Sequence, residues 1–186
     1  MPTAANLSVD EIAAVLTTGT DHLLSPAGAV SQLDHALQTA ALLERDFPTD
    51  AELAAAGLVH DIGHLLDGGT DETHAGDGAG AVRNALGERV AGIVALHVSA
   101  KRYLVATEGA YGGVLSSDSV ISLGRQGGAM TEAEVSAFRA LPWAEDAVTL
   151  RRADDSGKVG GLAVRDLAHW VPILRQLSEQ AGGASS

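Results

Sequence analysis

The stretch "LVHDIGHLL", from Leu58 to Leu66, places two histidines and an aspartate inside an otherwise apolar run. An apolar run of this length normally fills a protein core, where an unpaired polar side chain costs free energy. A bound metal ion would satisfy His60, Asp61 and His64 together, because imidazole and carboxylate groups are common metal ligands. The stretch therefore predicts a buried metal site.

The composition favours a single domain and limits the classes of partner. The chain has 186 residues, no cysteine and a formal net charge of −12. The lack of cysteine excludes disulfides and thiolate metal sites, and the negative charge argues against binding to nucleic acid or to an anionic membrane. The first residues, "MPTAANLSVDE", do not resemble a signal peptide, and no run reaches the length of a membrane span. We therefore expect a cytoplasmic domain over residues 1–186 with flexible ends at 1–8 and 181–186, and its oligomeric state is left open.

Helix signals occur along the whole chain. Capping-box pairs, a Ser or Thr three residues before a Glu, begin at Ser8, Thr49 and Thr131. Apolar residues follow at three- and four-residue spacing, and no alternating β pattern persists. The pattern predicts an all-α fold with helices near 9–18, 27–46, 50–66, 77–106, 115–126, 131–141, 144–155 and 164–180. The Gly- and Asp-rich segment "DGGTDETHAGDG" is predicted to be a loop.

Further histidines lie in segments that can face the same core. On the predicted helix 50–66, His60 and His64 are four residues apart and share one face. His35, in "QLDHALQTA", and His97, in "IVALHVSAKRYL", lie among apolar residues, whereas His74 lies in the predicted loop. A lone buried histidine is more often a hydrogen-bonded core residue than a ligand, and this alternative stays open for His74. The two remaining histidines, His22 and His169, match no motif position.

A carboxylate late in the chain is the last candidate ligand. Asp154 and Asp155 in "LRRADDSGK" compete for this role. We favour Asp154, because it lies three residues after Arg151 and four before Lys158, on one face of a helix.

These motifs resemble the HD-domain superfamily, whose members are metal-dependent phosphohydrolases or, in a smaller branch, di-iron oxygenases. The order of a first His, a His-Asp pair and a distant Asp carries this resemblance. The segments "LHVSAKRYL" and "SLGRQGGAM" are similar to the oxygenase branch, namely the organophosphonate-cleaving HD oxygenases and, more remotely, myo-inositol oxygenase. The resemblance covers residues 31–158 and implies an HD-domain helical bundle of about eight helices with a metal site in its centre.

The resemblance implies two iron ions in mixed Fe(II)/Fe(III) valence, with O₂ as cosubstrate. The ferric ion would bind the substrate, and its expected ligands are His35, His60, Asp61 and Asp154. The ferrous ion would react with O₂, and its expected ligands are Asp61, His64, His74 and His97. The expected catalytic residues are His60, Asp61 and His64. Ligand type alone suits iron, manganese, zinc or nickel, so the choice of iron rests on the resemblance.

Basic residues beside the candidate ligands predict a small anionic substrate. Lys101 follows His97 by one helical turn, and a Lys in that position points at whatever the metal binds. Cations beside a metal form a receptor for a phosphate-like group, although solvated surface charges are the plain alternative. The expected substrate-binding residues are Lys101, Ser119, Ser122, Gln126 and Arg151. By spacing alone, the two serines and the glutamine fit a solvent-facing stripe equally well.

The resemblance further implies an O₂-dependent dioxygenase that cleaves the C–P bond of a small 1-hydroxyalkylphosphonate to a carboxylic acid and phosphate. The aminohydroxyethylphosphonate enzymes carry a Tyr ten residues and a Glu seven residues before the first His ligand, where this chain has Ser25 and Gly28. The alternatives to a 2-amino-1-hydroxyethylphosphonate-like substrate are therefore a smaller or uncharged 1-hydroxyphosphonate, such as hydroxymethylphosphonate, and a different hydroxylated anion. Two alternatives are an HD phosphohydrolase acting on a nucleotide or small phosphate ester, and a non-catalytic module that senses a phosphonate or phosphate.

Overall fold

The computed structural model describes residues 6–24 and 30–183, and eight α-helices account for most of them. In chain order they are α1 Val9–Thr18, α2 Gln32–Asp46, α3 Ala51–Val59, α4 His74–Thr107, α5 Ser117–Arg125, α6 Glu132–Arg139, α7 Ala144–Ser156 and α8 Leu167–Gly183. In this part of the chain the only β pairing is an isolated bridge between Leu23 and Ser31. The predicted all-α bundle is confirmed. Among the described residues, every helix is too short or too polar to span a membrane.

Capping side chains determine where several helices begin. The predicted capping boxes are present at Ser8 for α1 and at Thr131 for α6. The predicted box at Thr49 is wrong, because the side chain of Asp50 accepts the Leu53 N–H at 3.0 Å and caps α3 instead.

Helix α2 begins later than predicted, because a capping box stops it from extending further back. Ser31 has extended backbone angles, and its hydroxyl accepts the Asp34 N–H at 3.0 Å. The helix starts at the next residue rather than at 27. Residues 25–29, which include Ser25 and Gly28, lie outside the described part of the chain.

Helix α3 lies at the centre of the bundle. Its sequence is apolar nearly all round, and every residue from Leu53 to Val59 is buried. Helices α2, α4, α7 and α8 all pack against it. The surrounding core consists mainly of aliphatic side chains and includes the fully buried Trp170 of α8. The C-terminal end of α3 therefore carries the following residues into the middle of the protein.

The chain leaves the α-helix at His60 and Asp61. Helix α3 ends at Val59 rather than at residue 66, and a 3₁₀ turn follows over Ile62–Leu65. Asp61 has φ −101° and ψ 8°, which lie outside the α-helical range. The prediction that His60 and His64 share the face of one helix is therefore wrong.

The 3₁₀ turn lies directly against the start of α4. A Cβ atom at Gly63 would lie 2.0 Å from the carbonyl oxygen of His74, so this close approach requires glycine. His74 is the first residue of α4, which corrects the prediction that it lies in a loop.

Helix α4 is interrupted at Gly87, which has φ 88° and ψ 172°. A straight helix would separate His74 from His97 by about 34 Å. Their Nε2 atoms are 3.0 Å apart, so the chain bends back at Gly87 and both segments of α4 reach the same place. The continuous helix predicted over 77–106 is wrong at this residue.

The described chain ends are attached to the bundle. Leu7 is buried, and its N–H donates to the carbonyl oxygen of Ala81 at 2.8 Å. At the other end, α8 continues to Gly183. Residues 1–5 and 184–186 lie outside the described part, and flexible ends stay a prediction.

We expect Gly87→Ala to destabilise the protein by about 1–3 kcal/mol, because its backbone angles are essentially restricted to glycine. Gly76→Ala is the matched control, since Gly76 lies in the same helix and an added Cβ would meet no atom within 4 Å. That variant should be neutral or stabilised by about 0.4–1 kcal/mol. Chemical denaturation measures both free energies of unfolding, and equal values for the two variants would contradict the role assigned to Gly87.

Candidate metal centre

Four buried histidines and one shared aspartate form two groups of potential metal ligands. Each of these histidines is at most 3% exposed. Within each group, the candidate donor atoms all lie within 4.8 Å of one another. The first triad is His35, His60 and Asp61, and the second triad is Asp61, His74 and His97. They come from α2, the turn after α3 and the two segments of α4, so four separate stretches of chain meet here.

Asp61 belongs to both triads through different oxygens. Its Oδ2 lies 3.8 Å from Nε2 of His35 and 3.5 Å from Nε2 of His60. Its Oδ1 lies 3.6 Å from Nε2 of His74 and 3.5 Å from Nε2 of His97. One carboxylate therefore faces two imidazole pairs, which is an arrangement suited to bridging two metal ions.

Backbone carbonyls orient all four rings. The Nδ1–H donors and their carbonyl acceptors are His35 to Gly157 (2.8 Å), His60 to Gly57 (2.8 Å), His74 to Asp71 (3.0 Å) and His97 to Val94 (2.7 Å). Because a carbonyl oxygen only accepts, Nδ1 carries the hydrogen in each case, and the neutral form of such a ring presents a lone pair on Nε2. Hydrogen bonds of this kind usually fix the orientation of metal-ligating histidines.

The opposed lone pairs show that both triads fit a cation. The two Nε2 atoms of His35 and His60 are 3.2 Å apart, and those of His74 and His97 are 3.0 Å apart. With their hydrogens on Nδ1, neither nitrogen of a pair can donate to the other, so a cation beside both relieves the repulsion. Burial lowers the pKa of His60 and of His74 to about 4, which keeps both rings in the neutral, ligating form.

Asp154 places a second carboxylate beside the first triad, and its assignment as a metal ligand stays a prediction. Its Oδ1 lies 3.1 Å from Nε2 of His35 and 3.9 Å from Nε2 of His60. Burial opposes ionisation, but ion pairs with Arg151 at 2.7 Å and Lys158 at 2.8 Å lower the pKa of Asp154 well below its usual value. Asp154 is therefore an ionised oxygen donor at neutral pH.

His64 is not part of either triad. Its ring stacks on the ring of His74, with centroids 3.9 Å apart and planes at 15°. This position follows from the end of α3, since His64 lies on the 3₁₀ turn rather than one α-helical turn after His60. The assignment of His64 as a metal ligand stays a prediction.

A cavity of about 670 Å³ adjoins the triads. Its walls include Asp61 together with His74 and His97 of the second triad. The structure also brings all the predicted substrate-binding residues into these walls: Lys101, Ser119, Ser122, Gln126 and Arg151. Residues from three helices that are distant in sequence therefore share one cavity with the candidate metal ligands.

Lys101 is a buried cation in the cavity wall. Its side-chain Nζ donates to Oγ of Ser122 at 2.7 Å. Burial, and then the nearby charge of Arg151, lower the pKa of Lys101 to about 8. A buried ammonium group bonded to a hydroxyl is well placed to bind an anion in the cavity.

Arg151 is held by ion pairs and a hydrogen bond, and of these contacts the sequence spacing indicated only the one with Asp154. Its guanidinium pairs with Asp154 and Asp155, and its Nε donates to the hydroxyl of Tyr111 at 3.2 Å. Tyr111 in turn donates to Asp155. Asp155 therefore supports Arg151 and Tyr111, whereas Asp154 faces the first triad. Sequence reasoning missed Tyr111, because no spacing rule connects it to Arg151 and Asp155, which lie 40 and 44 residues later in the chain.

Known proteins show clear similarity to this chain. The profile of the myo-inositol oxygenase family matches residues 2–79. A hydroxymethylphosphonate dioxygenase from Gimesia maris is 41% identical over 151 residues, which cover 76% of this chain and 75% of the relative. A [1-hydroxy-2-(trimethylamino)ethyl]phosphonate dioxygenase (glycine-betaine-forming) from Leisingera caerulea is 31% identical over 163 residues, 83% of each chain. An uncharacterized protein from Acanthamoeba polyphaga mimivirus is 30% identical over 155 residues, 77% of this chain and 70% of the relative.

These similarities agree with the geometry of the site. The part that matches the myo-inositol oxygenase profile contains four of the five triad residues. These are His35 and His60 of the first triad, the shared Asp61, and His74 of the second triad. The relationship inferred from the sequence motifs is confirmed. With 41% identity over three quarters of both chains, the chain belongs to the HD-like oxygenase family that includes hydroxymethylphosphonate dioxygenase.

Proposed function

We propose that this protein is a di-iron, O₂-dependent dioxygenase that cleaves the C–P bond of a small 1-hydroxyalkylphosphonate to a carboxylic acid and phosphate. The main support is the Asp61 carboxylate shared by two imidazole pairs, next to a cavity that contains the buried cations Lys101 and Arg151. A phosphohydrolase with one metal ion would need only the first triad and Asp154, and His74 and His97 would then have no function. The relatives named as phosphonate dioxygenases add independent support.

The donor set would hold two iron ions. One would take His35, His60 and Asp154, the other His74 and His97 with His64 as a further candidate, and Asp61 would be shared. A mixed-valent pair supplies O₂ activation and oxidation of the substrate carbon when bound. The chain itself orients the four triad histidines through backbone carbonyls, and it keeps most of the ligand atoms away from bulk water.

The cavity cations would bind the phosphonate group. Lys101 and Arg151 supply positive charge, and Ser119 and Ser122 supply hydroxyl donors that already contact these cations. Charge-assisted hydrogen bonds of this type are short and strong. With the phosphonate held by these groups, the adjoining hydroxyl-bearing carbon is left to face the triads in the same cavity.

A hydroxymethylphosphonate-like substrate fits this cavity better than one with a quaternary ammonium group. The two Phe, two Tyr and two Trp residues of the chain all lie in the described part, and none of them lines the cavity. Aromatic rings are the usual receptor for a quaternary ammonium group. For hydroxymethylphosphonate the balanced reaction is HOCH₂PO₃²⁻ + O₂ → HCOO⁻ + HPO₄²⁻ + H⁺.

O₂ consumption by the purified, iron-loaded protein tests this proposal. We expect hydroxymethylphosphonate to be consumed with equal amounts of O₂, formate and phosphate, and the 2-trimethylamino analogue to be turned over more slowly. The active protein should also give the electron paramagnetic resonance signal of a coupled Fe(II)/Fe(III) pair. Phosphate release without O₂ uptake would rule out oxygenase chemistry. Hydrolysis of a small phosphate ester, with no turnover of hydroxymethylphosphonate, would identify a phosphohydrolase, and binding without turnover of either would identify a sensor.

Single-ligand variants should separate the two metal ions. We expect His35→Ala and His97→Ala each to lose about half of the bound iron, because each removes a ligand from one triad only. Asp61→Ala should lose iron from both triads, since among the described residues only this carboxylate faces both imidazole pairs. Elemental analysis measures iron per chain, and circular dichroism verifies folding. Complete iron loss from folded His97→Ala would contradict two separable ions.

Substrate binding should weaken as the pH rises through about 8, the value to which burial lowers the pKa of Lys101. Because the lowered pKa belongs to an ammonium group, the charged form dominates below that pH and the neutral form above it. Lys101→Arg should keep its charge and show no rise in KM, measured from about pH 7 to about pH 9.5.

Lys101→Ala should raise KM about ten- to a hundredfold at neutral pH, because a hydrogen bond from a charged group is lost. Its iron content should equal that of the wild type. If KM rises with pH in Lys101→Arg as it does in the wild type, another group is responsible for the pH dependence.

A further inference from the structure

The end of helix α5 is linked to the second triad through the backbone carbonyl of Asp71. Gln126, at the C-terminal cap of α5, donates from Nε2 to the carbonyl oxygen of Asp71 at 2.7 Å. The same oxygen accepts the Nδ1–H of His74 at 3.0 Å, and the carbonyl oxygen of Thr70 lies slightly further from this nitrogen, at 3.2 Å. A residue predicted to contact substrate therefore contacts the backbone group that orients a candidate metal ligand.

The neighbouring Arg125 holds the same loop residue by its side chain. Its Nη1 donates to Oδ2 of Asp71 at 2.7 Å, so the end of α5 contacts both the carboxylate and the carbonyl of Asp71. The arginine side chain is 60% exposed, and an ion pair this exposed contributes little to holding the loop. The partly buried hydrogen bond from Gln126 is therefore the stronger constraint.

The backbone that presents Gln126 is itself fixed. The two residues after it, Gly127 and Gly128, have φ values of 96° and 70°, which end the helix in the left-handed conformation open to glycine. Arg102 of α4 donates from Nε to the carbonyl oxygen of Gly128 at 2.9 Å. The end of α5 is thus anchored to the second segment of α4, the segment that also carries His97.

The orientation of the Gln126 amide follows from its contact with Asp71. The carbonyl of Asp71 can only accept, so Nε2 must face it and Oε1 must face away. That Oε1 atom is buried and has no hydrogen-bond partner among the described residues, which costs free energy. The amide therefore keeps its bond to Asp71 while its own oxygen stays unsatisfied.

We propose that Gln126 is a positioning residue for the second metal ion. Through the Asp71 carbonyl it fixes the ring of His74, and it thereby links α5, whose Ser119 and Ser122 line the cavity, to the second triad. The inference rests on the proposed two-metal function and adds a role for a residue otherwise expected to contact only the substrate. Loss of a hydrogen bond to the metal ligand itself typically weakens metal binding about ten- to a hundredfold. Gln126 acts one bond further out, so we expect an effect at the lower end of that range.

Anaerobic titration of the iron-free protein with Fe(II), in the absence of substrate, tests this inference by calorimetry. In Gln126→Leu, which lacks the donor but has a similar size, the second Fe(II) should bind about tenfold more weakly and the first should bind as in the wild type. Ser122→Ala is the matched control, because Ser122 lies on the same helix but contacts Lys101. It should bind both ions like the wild type.

Each outcome of the titration has a distinct meaning. Wild-type affinities for both ions in Gln126→Leu, with only KM for hydroxymethylphosphonate raised, would show that Gln126 acts on the substrate alone and would overturn the inference. A wild-type protein that binds one ion would instead overturn the proposed function. If Gln126→Leu does not fold, Gln126→Asn replaces it, because its shorter amide cannot reach Asp71, and an unchanged second affinity there would also overturn the inference.

Discussion

The two oxygens of the Asp61 carboxylate each face a separate pair of imidazoles, and this geometry requires distant parts of the chain to meet. One short side chain can reach both pairs only if four stretches of chain converge around it. Helix α3 therefore ends immediately before the His-Asp pair, and α4 bends back at Gly87. Irregular backbone at these two points is what makes the metal centre possible.

Polar side chains at the centre of an apolar bundle are stable here because each ring has two kinds of partner. The Nδ1–H group of every triad histidine is satisfied by a backbone carbonyl, and its Nε2 lone pair faces the position that a cation would take. Low pKa values at His60 and His74 follow from the same burial and favour the neutral ligand. The local environment thus produces both the orientation and the protonation state that metal binding needs.

The charges of the cavity differ from the charge of the whole chain. The protein is strongly acidic, with a net charge of −12, whereas the cavity lining balances four basic side chains (Lys101, Arg125, Arg151, Lys158) against four aspartates (Asp61, Asp71, Asp118, Asp154). Arg151 is paired with two carboxylates, whereas the ammonium of Lys101 is bonded to a serine hydroxyl. Local field rather than net charge governs which ligand enters, and Lys101 contributes the least compensated charge to it.

Local sequence patterns predicted the all-α class, most helix positions and the histidines and aspartate of the two triads, because helix periodicity, capping and ligand chemistry are local properties. It failed where a long-range contact overrode the local pattern: the helix predicted through His64 stops at Val59, and the predicted loop around His74 is the start of α4. Three features could not be predicted from local patterns: Asp61 is shared, His64 stacks on His74 outside the triads, and Tyr111 supports Arg151. Those distances join residues far apart in the chain, and packing of the helices, rather than spacing along the sequence, sets them.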